Sequence, residues 1–172
     1  MVIILLYTSA EANKLLHKLN EEKLNIESLE HQSCVFHCAM GEKPDEVRPD
    51  YDYCATQEKL VELERKIRKI KHAINLFNIS TLVQEFNMTV DELLVYIPQL
   101  TAHKQKLYNL QARLPKSRDN SYRGNSSIID YCMVNYDITR AREDYSAVSD
   151  ELSKAQISLD LLNNSIKFEI EL

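Results

Sequence analysis

The clearest pattern in this sequence is an apolar stripe near its carboxyl end. Over residues 138–166, apolar side chains recur at alternating spacings of three and four residues, with mostly polar residues between them. That spacing keeps one narrow stripe on one side of an α-helix and is typical of coiled-coil packing against another helix. The stripe predicts one long helix whose seam belongs to the core or to an oligomer contact. The seam consists of Ile138, Ala141, Tyr145, Val148, Leu152, Ala155, Leu159, Leu162 and Ile166.

The same periodicity predicts two long helices in the first half of the chain. The first starts near Ser9 and runs into the mid-thirties, and the segment 41–44 is expected to end it, because it begins with glycine and closes with proline. The second carries apolar residues at three- and four-residue spacing over 60–77. Asp50 or Asp52 is placed to cap its amino end.

A third helix is predicted to begin at a capping box. Thr89 and Glu92 have the spacing at which each side chain satisfies a free backbone N–H of the first helical turn. Pro98 lies inside this helix, where it removes a backbone hydrogen bond, so the sequence predicts a kink or a break there. Pro115 is expected to close the element.

Short strands and loops complete the predicted fold. Residues 128–134 and 167–172 have the composition and alternation of short strands, and 115–127 form a mobile polar loop. Residues 1–8 are an apolar extension that is a strand, an extra helical turn or an export remnant. The predicted fold is mainly α: a single domain over 1–172, with long antiparallel helices packed like a coiled coil in a bundle, plus one or two short β-strands near the carboxyl end.

The composition is typical of a helical protein without a membrane-spanning segment. Two glycines and four prolines in 172 residues are too few for a turn-rich β protein. No segment approaches the ~20 apolar residues of a membrane span, and a net charge of −5 gives no general attraction to nucleic acid. The four cysteines have no spacing that suggests a disulfide framework. We therefore expect reduced thiols, a cytoplasmic location, no membrane contact and no nucleic-acid partner.

One group of side chains has the chemistry of a metal site. His31, Cys34 and Cys38 are spaced to share one face of the first helix, and Cys54 follows the next loop. Thiolates and imidazole are the donors that zinc prefers, but this spacing is not that of a known zinc module. Helical cysteines usually behave as small core residues, so packing is the favoured interpretation and no metal or cofactor is expected.

A second group is basic. The second helix carries a run of Lys and Arg between residues 65 and 71, and the polar loop adds Arg118, Tyr122 and Arg123. Together they suggest a binding surface for phosphate or single-stranded nucleic acid, with the tyrosine as a stacking ring. The competing interpretation is a solvated helix face with local ion pairs, which the overall acidity favours. No spacing of carboxylates, histidines or nucleophiles predicts catalysis, so no catalytic residue is assigned.

Three stretches resemble an uncharacterised bacterial family of helical proteins that is often labelled septicolysin-like. They are the loop 41–46 between two long helices, the segment 60–74 with the helix start at Thr89, and the part from Tyr122 to Leu172 that holds a loop, a strand and a final heptad helix. The resemblance covers about residues 9–172. It implies a mostly α-helical, oligomeric fold without an established activity.

These features predict a non-enzymatic homo-oligomer that acts through protein–protein contacts. The last helix, at ~1.5 Å per residue, is about 43 Å long, and one small chain of such helices is thin. Part of its apolar seam is therefore expected to face a second copy. The alternative function is a nucleic-acid or phosphate-ligand binder that uses the basic helix and the 115–127 loop.

Overall fold

The computed structural model describes residues 4–118 and 130–172 and is mainly α, as predicted. Its helices are α1 (Ser9–Ser33), α2 (Pro44–Val47), α3 (Tyr53–Ser80), α4 (Val90–Gln111) and α5 (Ile138–Ser165). Its strands are β1 (Ile4–Thr8), β2 (Leu82–Val83), β3 (Met88–Thr89), β4 (Lys116–Arg118), β5 (Tyr131–Met133) and β6 (Lys167–Glu171). The strands pair antiparallel as β1 with β6, β2 with β3, and β4 with β5.

Side-chain caps fix where the long helices begin. Thr8 forms a capping box with Glu11 at the start of α1, and Thr89 forms the predicted box with Glu92 at the start of α4. Of the two candidates for α3, Asp52 is the cap and accepts a hydrogen bond from the Ala55 N–H at 3.0 Å. Each cap satisfies backbone donors that the first turn cannot pair internally.

Helix ends and strands depart from the predictions in several places. Helix α1 ends at Ser33, before the glycine that was expected to stop it, and Gly41 (φ +100°) occupies a turn further on. Helix α4 continues through Pro98 without a break and ends at Gln111. Residues 4–8 of the apolar extension form strand β1, and α2, β2, β3 and β4 were not predicted.

The described residues group into two compact units, and the first comprises the chain up to Thr81 and from Leu161 onward. Its helices α1 and α3 run antiparallel, since Lys23 contacts Glu64, whereas Glu30, further along α1, contacts Gln57, which comes earlier in α3. The β1–β6 ribbon closes this unit, with the Phe77 and Phe168 rings stacked 4.8 Å apart. The buried core of the unit is formed by Ala12, Ile70, Ile74 and Ile170.

The second unit spans residues 82–160 and is built on α4 and most of α5. Tyr96 contacts Glu151, and the Tyr108 ring lies 6.1 Å from the Tyr145 ring, so these helices also run antiparallel. The β2–β3 turn holds Asn87 in the left-handed region (φ 49°). Buried apolar side chains face the interior of this unit from both helices: Val90, Leu93, Leu100, Leu107, Ala141, Val148, Leu152 and Ala155.

The predicted seam is the least exposed side of α5. Ala141, Val148, Leu152 and Ala155 are buried, whereas Ile166 follows the last helical residue and is 38% exposed. The remaining seam residues are half-buried: Ile138, Tyr145, Leu159 and Leu162. The seam therefore serves the core, and coiled-coil geometry and the single-domain assignment stay predictions.

Candidate interaction surfaces

Helix α3 presents apolar side chains on the side opposite its core. Val61 is 63% exposed and Ile79 is 61% exposed, and Leu76 lies close to the same line. At 100° per residue these positions lie about 180° from the buried stripe of the helix. Arg65, Arg68 and His72 occupy the line between them. We call this set of six residues the α3 outer face. The buried stripe consists of Leu63, Ile67, Ile70, Ile74 and Phe77.

The basic run of α3 is only partly neutralised. The Lys66 Nζ lies 2.7 Å from a Glu62 carboxylate oxygen, and this hydrogen bond lowers the pKa of Glu62. Glu64 is held by Lys23 on α1, at 2.7 Å, and that hydrogen bond lowers its pKa. Lys69 and Lys71 have no ion-pair partner among residues 4–118 and 130–172. The prediction of a solvated, locally paired face therefore describes only part of this run.

Helix α5 has a corresponding outer face, and its charged residues are two acids and Lys154. Ile157 is 59% exposed and Leu161 is 64% exposed, and both lie opposite the seam. Asp150 lies on the same line, is exposed, and has no ion-pair partner in the part of the chain that the structure describes. Glu143 lies on the same side of the helix, seven residues before Asp150, and its carboxylate lies 3.4 Å from the Arg140 guanidinium. We call these five residues, Ile157, Leu161, Asp150, Glu143 and Lys154, the α5 outer face.

An acidic cleft of about 340 Å³ lies beside α1 and the start of α3. Its central carboxylate is Glu30, whose Oε1 accepts hydrogen bonds from the Tyr51 hydroxyl at 2.6 Å and the Gln57 amide at 2.7 Å. The bond to Glu30 raises the pKa of Tyr51 to about 12, because the carboxylate stabilises the protonated phenol. Tyr51 lies in the loop before α3 and Gln57 lies in α3, so both hydrogen bonds connect this part of the chain to Glu30 on α1. They act as a structural clasp.

The candidate metal ligands do not converge. Among the described residues, no three His, Cys, Asp or Glu side chains lie where one ion could bind them. His31, Cys34, Cys38 and Cys54 are all exposed. The favoured interpretation, that the cysteines are small core residues, is therefore wrong. Because α1 ends at Ser33 with Cys34 as its C-cap, Cys38 does not share a helical face with His31.

The predicted loop site is described only at its start. Arg118 ends strand β4 and is exposed, whereas Tyr122 and Arg123 lie outside the described residues. Strand β5 pairs with β4, and the Lys116 Nζ lies 3.8 Å from the centre of the Tyr131 ring. The sequence predicted a strand over 128–134, which contains β5, but it did not predict its partner β4, because three residues give too little alternation.

A second hydroxyl–carboxylate pair links α4 to α5. The Tyr96 hydroxyl donates to a Glu151 oxygen at 2.6 Å, and this bond raises the pKa of Tyr96. Fifty-five residues separate the partners, so no local spacing in the sequence could pair them. The Ser158 hydroxyl donates to Glu85 at 2.7 Å in the same unit. The first bond joins α4 to α5, and the second joins the β2–β3 turn to α5.

Comparisons with known proteins give the fold and nothing more specific. No family model matches the chain, and no curated protein matches it. The structure is similar to the crystal structure of a functionally unknown conserved protein from Corynebacterium diphtheriae, with a TM-score of 0.61 and 17% sequence identity. That match covers 95% of this chain and 99% of the other. Within the described residues, no helix has the length and apolar content to cross a membrane.

Proposed function

We propose that this chain is a non-enzymatic, self-associating helical protein that acts through protein–protein contacts. The observation that carries the proposal is the pair of outer faces. Both α3 and α5 bury one apolar stripe and expose further apolar residues on the opposite side, such as Val61 and Ile157. Large apolar side chains grouped on an exposed face mark interaction surfaces in soluble proteins.

The thickness of the units supports the same proposal. Each unit is built on two long helices, so each helix can bury only one side within it. Apolar groups on the outer sides gain a favourable free energy only when a partner removes them from water. A second copy of the chain is the partner that is always present at matching concentration.

The proposal is tested by the mass of the purified protein in solution. The chain has a mass of 20.0 kDa, and we expect light scattering during size-exclusion chromatography to give a multiple of that mass at micromolar concentration. Dilution should shift the population toward the monomer. A 20.0 kDa species at all concentrations would contradict self-association.

Binding of nucleic acid or a phosphate ligand is the second candidate. The free cations Lys69 and Lys71 and the exposed Arg118 favour it. Such binding would weaken steeply with added salt, because counterions are released from the phosphates. We expect no binding of a single-stranded oligonucleotide at low salt. Measurable binding that is lost in Lys69→Ala with Lys71→Ala would favour this candidate instead.

We propose a cytoplasmic location and membership of the septicolysin-like family as parts of the same hypothesis. The location is supported by Cys34, Cys38, Cys54 and Cys132, which are all free and exposed. Exposed thiols persist in reducing compartments and oxidise elsewhere. The family assignment rests on the order of loop, helix and strand along the sequence.

A further inference from the structure

We infer that strand β1 pairs antiparallel with β1 of a second copy of this chain across a two-fold axis. The pairing joins two β1–β6 ribbons into one four-stranded sheet. The inference rests on the proposed self-association and names a contact that is separate from the outer faces of α3 and α5. Its basis is a strand edge that has unpaired backbone groups and carries no charge.

Strand β1 has a neighbouring strand on only one side. It pairs with β6 over five residues, and no other described strand pairs with it. The Thr8 N–H donates to a Glu11 carboxylate oxygen at 2.9 Å, so it points away from β6. Because the N–H groups of an antiparallel strand alternate in direction, those of Leu6 and Ile4 also point away from β6. No group within the described ranges bonds to them, so water or another strand must satisfy them.

The composition of β1 distinguishes its edge from those of the other strands. Proteins protect edges from unwanted pairing with charged side chains, with proline or with very short strands. Three of the five residues of β6 are charged, as are two of the three residues of β4. Strands β2, β3 and β5 have only two or three residues each. Strand β1 has five residues, none of them charged and none proline, so its edge favours pairing.

The register of the pairing follows from the free N–H groups and the side chains. Since the Thr8 N–H is already bonded, the register that uses both free groups places Ile4 of one copy beside Leu6 of the other. Both side chains lie on the face away from Ile170 and Phe168, which pack in the core. Leu6 is 60% exposed and Ile4 is 55% exposed. The same register brings these four side chains, two from each copy, into contact in the middle of the sheet.

A second copy is the occupant that fits this edge. The free groups and the exposed side chains of β1 match their own image under a two-fold rotation, which is what a symmetric interface requires. A two-stranded sheet is marginally stable alone, and each copy would add two strands to the ribbon of the other. The outer edges of the four-stranded sheet would be the charged β6 strands, so this contact closes at two copies.

Leu6→Lys tests the pairing. In the monomer the new ammonium group can remain in water, whereas in the dimer two such groups would lie near each other beside apolar side chains. The substitution should therefore weaken dimerisation at least tenfold, which light scattering over a dilution series measures. Leu24→Lys is the matched control, because Leu24 is 63% exposed on α1 and the change in charge is the same. It should associate like the unaltered chain.

Amide hydrogen exchange measured by NMR gives a second readout on the unaltered chain. The Ile4 and Leu6 amides should exchange at least tenfold more slowly at a concentration where the dimer forms than after dilution. The Leu5 and Tyr7 amides point toward β6, so they should be protected equally at both concentrations. Circular dichroism spectra of both lysine variants should show the helical content of the unaltered chain.

Three other outcomes would overturn the inference, and they differ from one another. If the chain assembles while Leu6→Lys keeps its mass and the Ile4 and Leu6 amides exchange at one rate, self-association stands but β1 does not carry it. If the unaltered chain is a monomer at all concentrations, the proposed function fails together with the inference. If those amides become protected only when another protein is added, the edge binds a different partner.

Discussion

Glu30 shows how a single residue can hold a loop in place. Its carboxylate accepts hydrogen bonds from Tyr51, which precedes α3, and from Gln57 in the first turns of α3. Charge-assisted hydrogen bonds of this length are stronger than those between neutral groups. Since Glu30 lies near the end of α1, the clasp fixes the start of α3 against α1 although nineteen residues separate the two helices.

The Tyr51–Glu30 bond predicts a loss of stability at alkaline pH. The folded-state pKa of Tyr51 is raised from 10.0 to about 12, so its contribution is complete below pH 10 and is lost as the pH rises toward 12. Urea unfolding across this range should show a fall in free energy of unfolding that is smaller in Tyr51→Phe. Tyr53→Phe keeps the bond and should follow the unaltered chain. Identical pH profiles for all three would refute the clasp.

At the scale of elements, α4 tolerates a residue that normally ends helices. Pro98 lies in its ninth position, where a proline has no N–H to donate to the carbonyl of Leu94. The helix continues because its capping box fixes the start and its buried residues Leu93, Leu100 and Leu107 hold both halves in the second unit. Packing therefore outweighs a local penalty of roughly 3 kcal/mol.

Replacing that proline should stabilise the protein. Pro98 is exposed, so Pro98→Ala restores a backbone hydrogen bond without opening a cavity and should raise the free energy of unfolding by up to about 3 kcal/mol. Pro44→Ala is the control, because Pro44 is the first residue of α2, where proline is favourable. Chemical unfolding measures both. A loss of stability in Pro98→Ala would mean that the proline sets a bend that the packing requires.

The two sides of α5 should respond differently to the same substitution. Leu152 is buried on the seam, so Leu152→Asp places an unpaired charge in the core and should cost several kcal/mol of stability. Ile157 is exposed on the outer face, so Ile157→Asp should leave the thermal unfolding of the monomer nearly unchanged and weaken assembly. Thermal unfolding and light scattering separate the two effects. Equal destabilisation by both substitutions would show that the outer face is not free.

At the scale of the whole molecule, two thin helical units leave much apolar surface exposed. Small units bury a smaller fraction of their surface than large ones, and their stability is correspondingly marginal. Exposed apolar side chains occur on α1, α3, α4, α5 and β1, as Leu24, Val61, Val95, Leu161 and Leu6 show. Assembly would remove part of this surface from water and add to the stability of each copy.

Because assembly is proposed to add to the stability of each copy, the melting temperature should depend on protein concentration. An oligomer gains stability by mass action, so a tenfold rise in concentration should raise the Tm by about 3 °C. Ile157→Asp, which should weaken assembly, should melt at a temperature that changes less with concentration. Scanning calorimetry over a concentration series measures both. A constant Tm for the unaltered chain would separate folding from assembly.

Local sequence determined the four long helices and most of their starts. The apolar period, Asp52 and the Thr89 box act within a few residues, so the pattern alone identifies them. Strand β6 was also predicted, because it alternates polar and apolar residues. The candidate faces were only partly visible: the basic run was recognised, whereas Val61, Ile157 and Leu161 were not, since they lie off the main apolar stripes.

Tertiary structure decided the features that depend on distant partners. Residues 4–8 became a strand because β6, more than 150 residues later, pairs with them. Glu30 and Glu151 found hydroxyl partners that no spacing could indicate, and α4 passed Pro98 because packing held both halves. Cys34 and Cys38 were left exposed because α1 ended before them. Periodicity specifies which residues form a helix, but only the packing of the folded chain determines which side of that helix remains free for a partner.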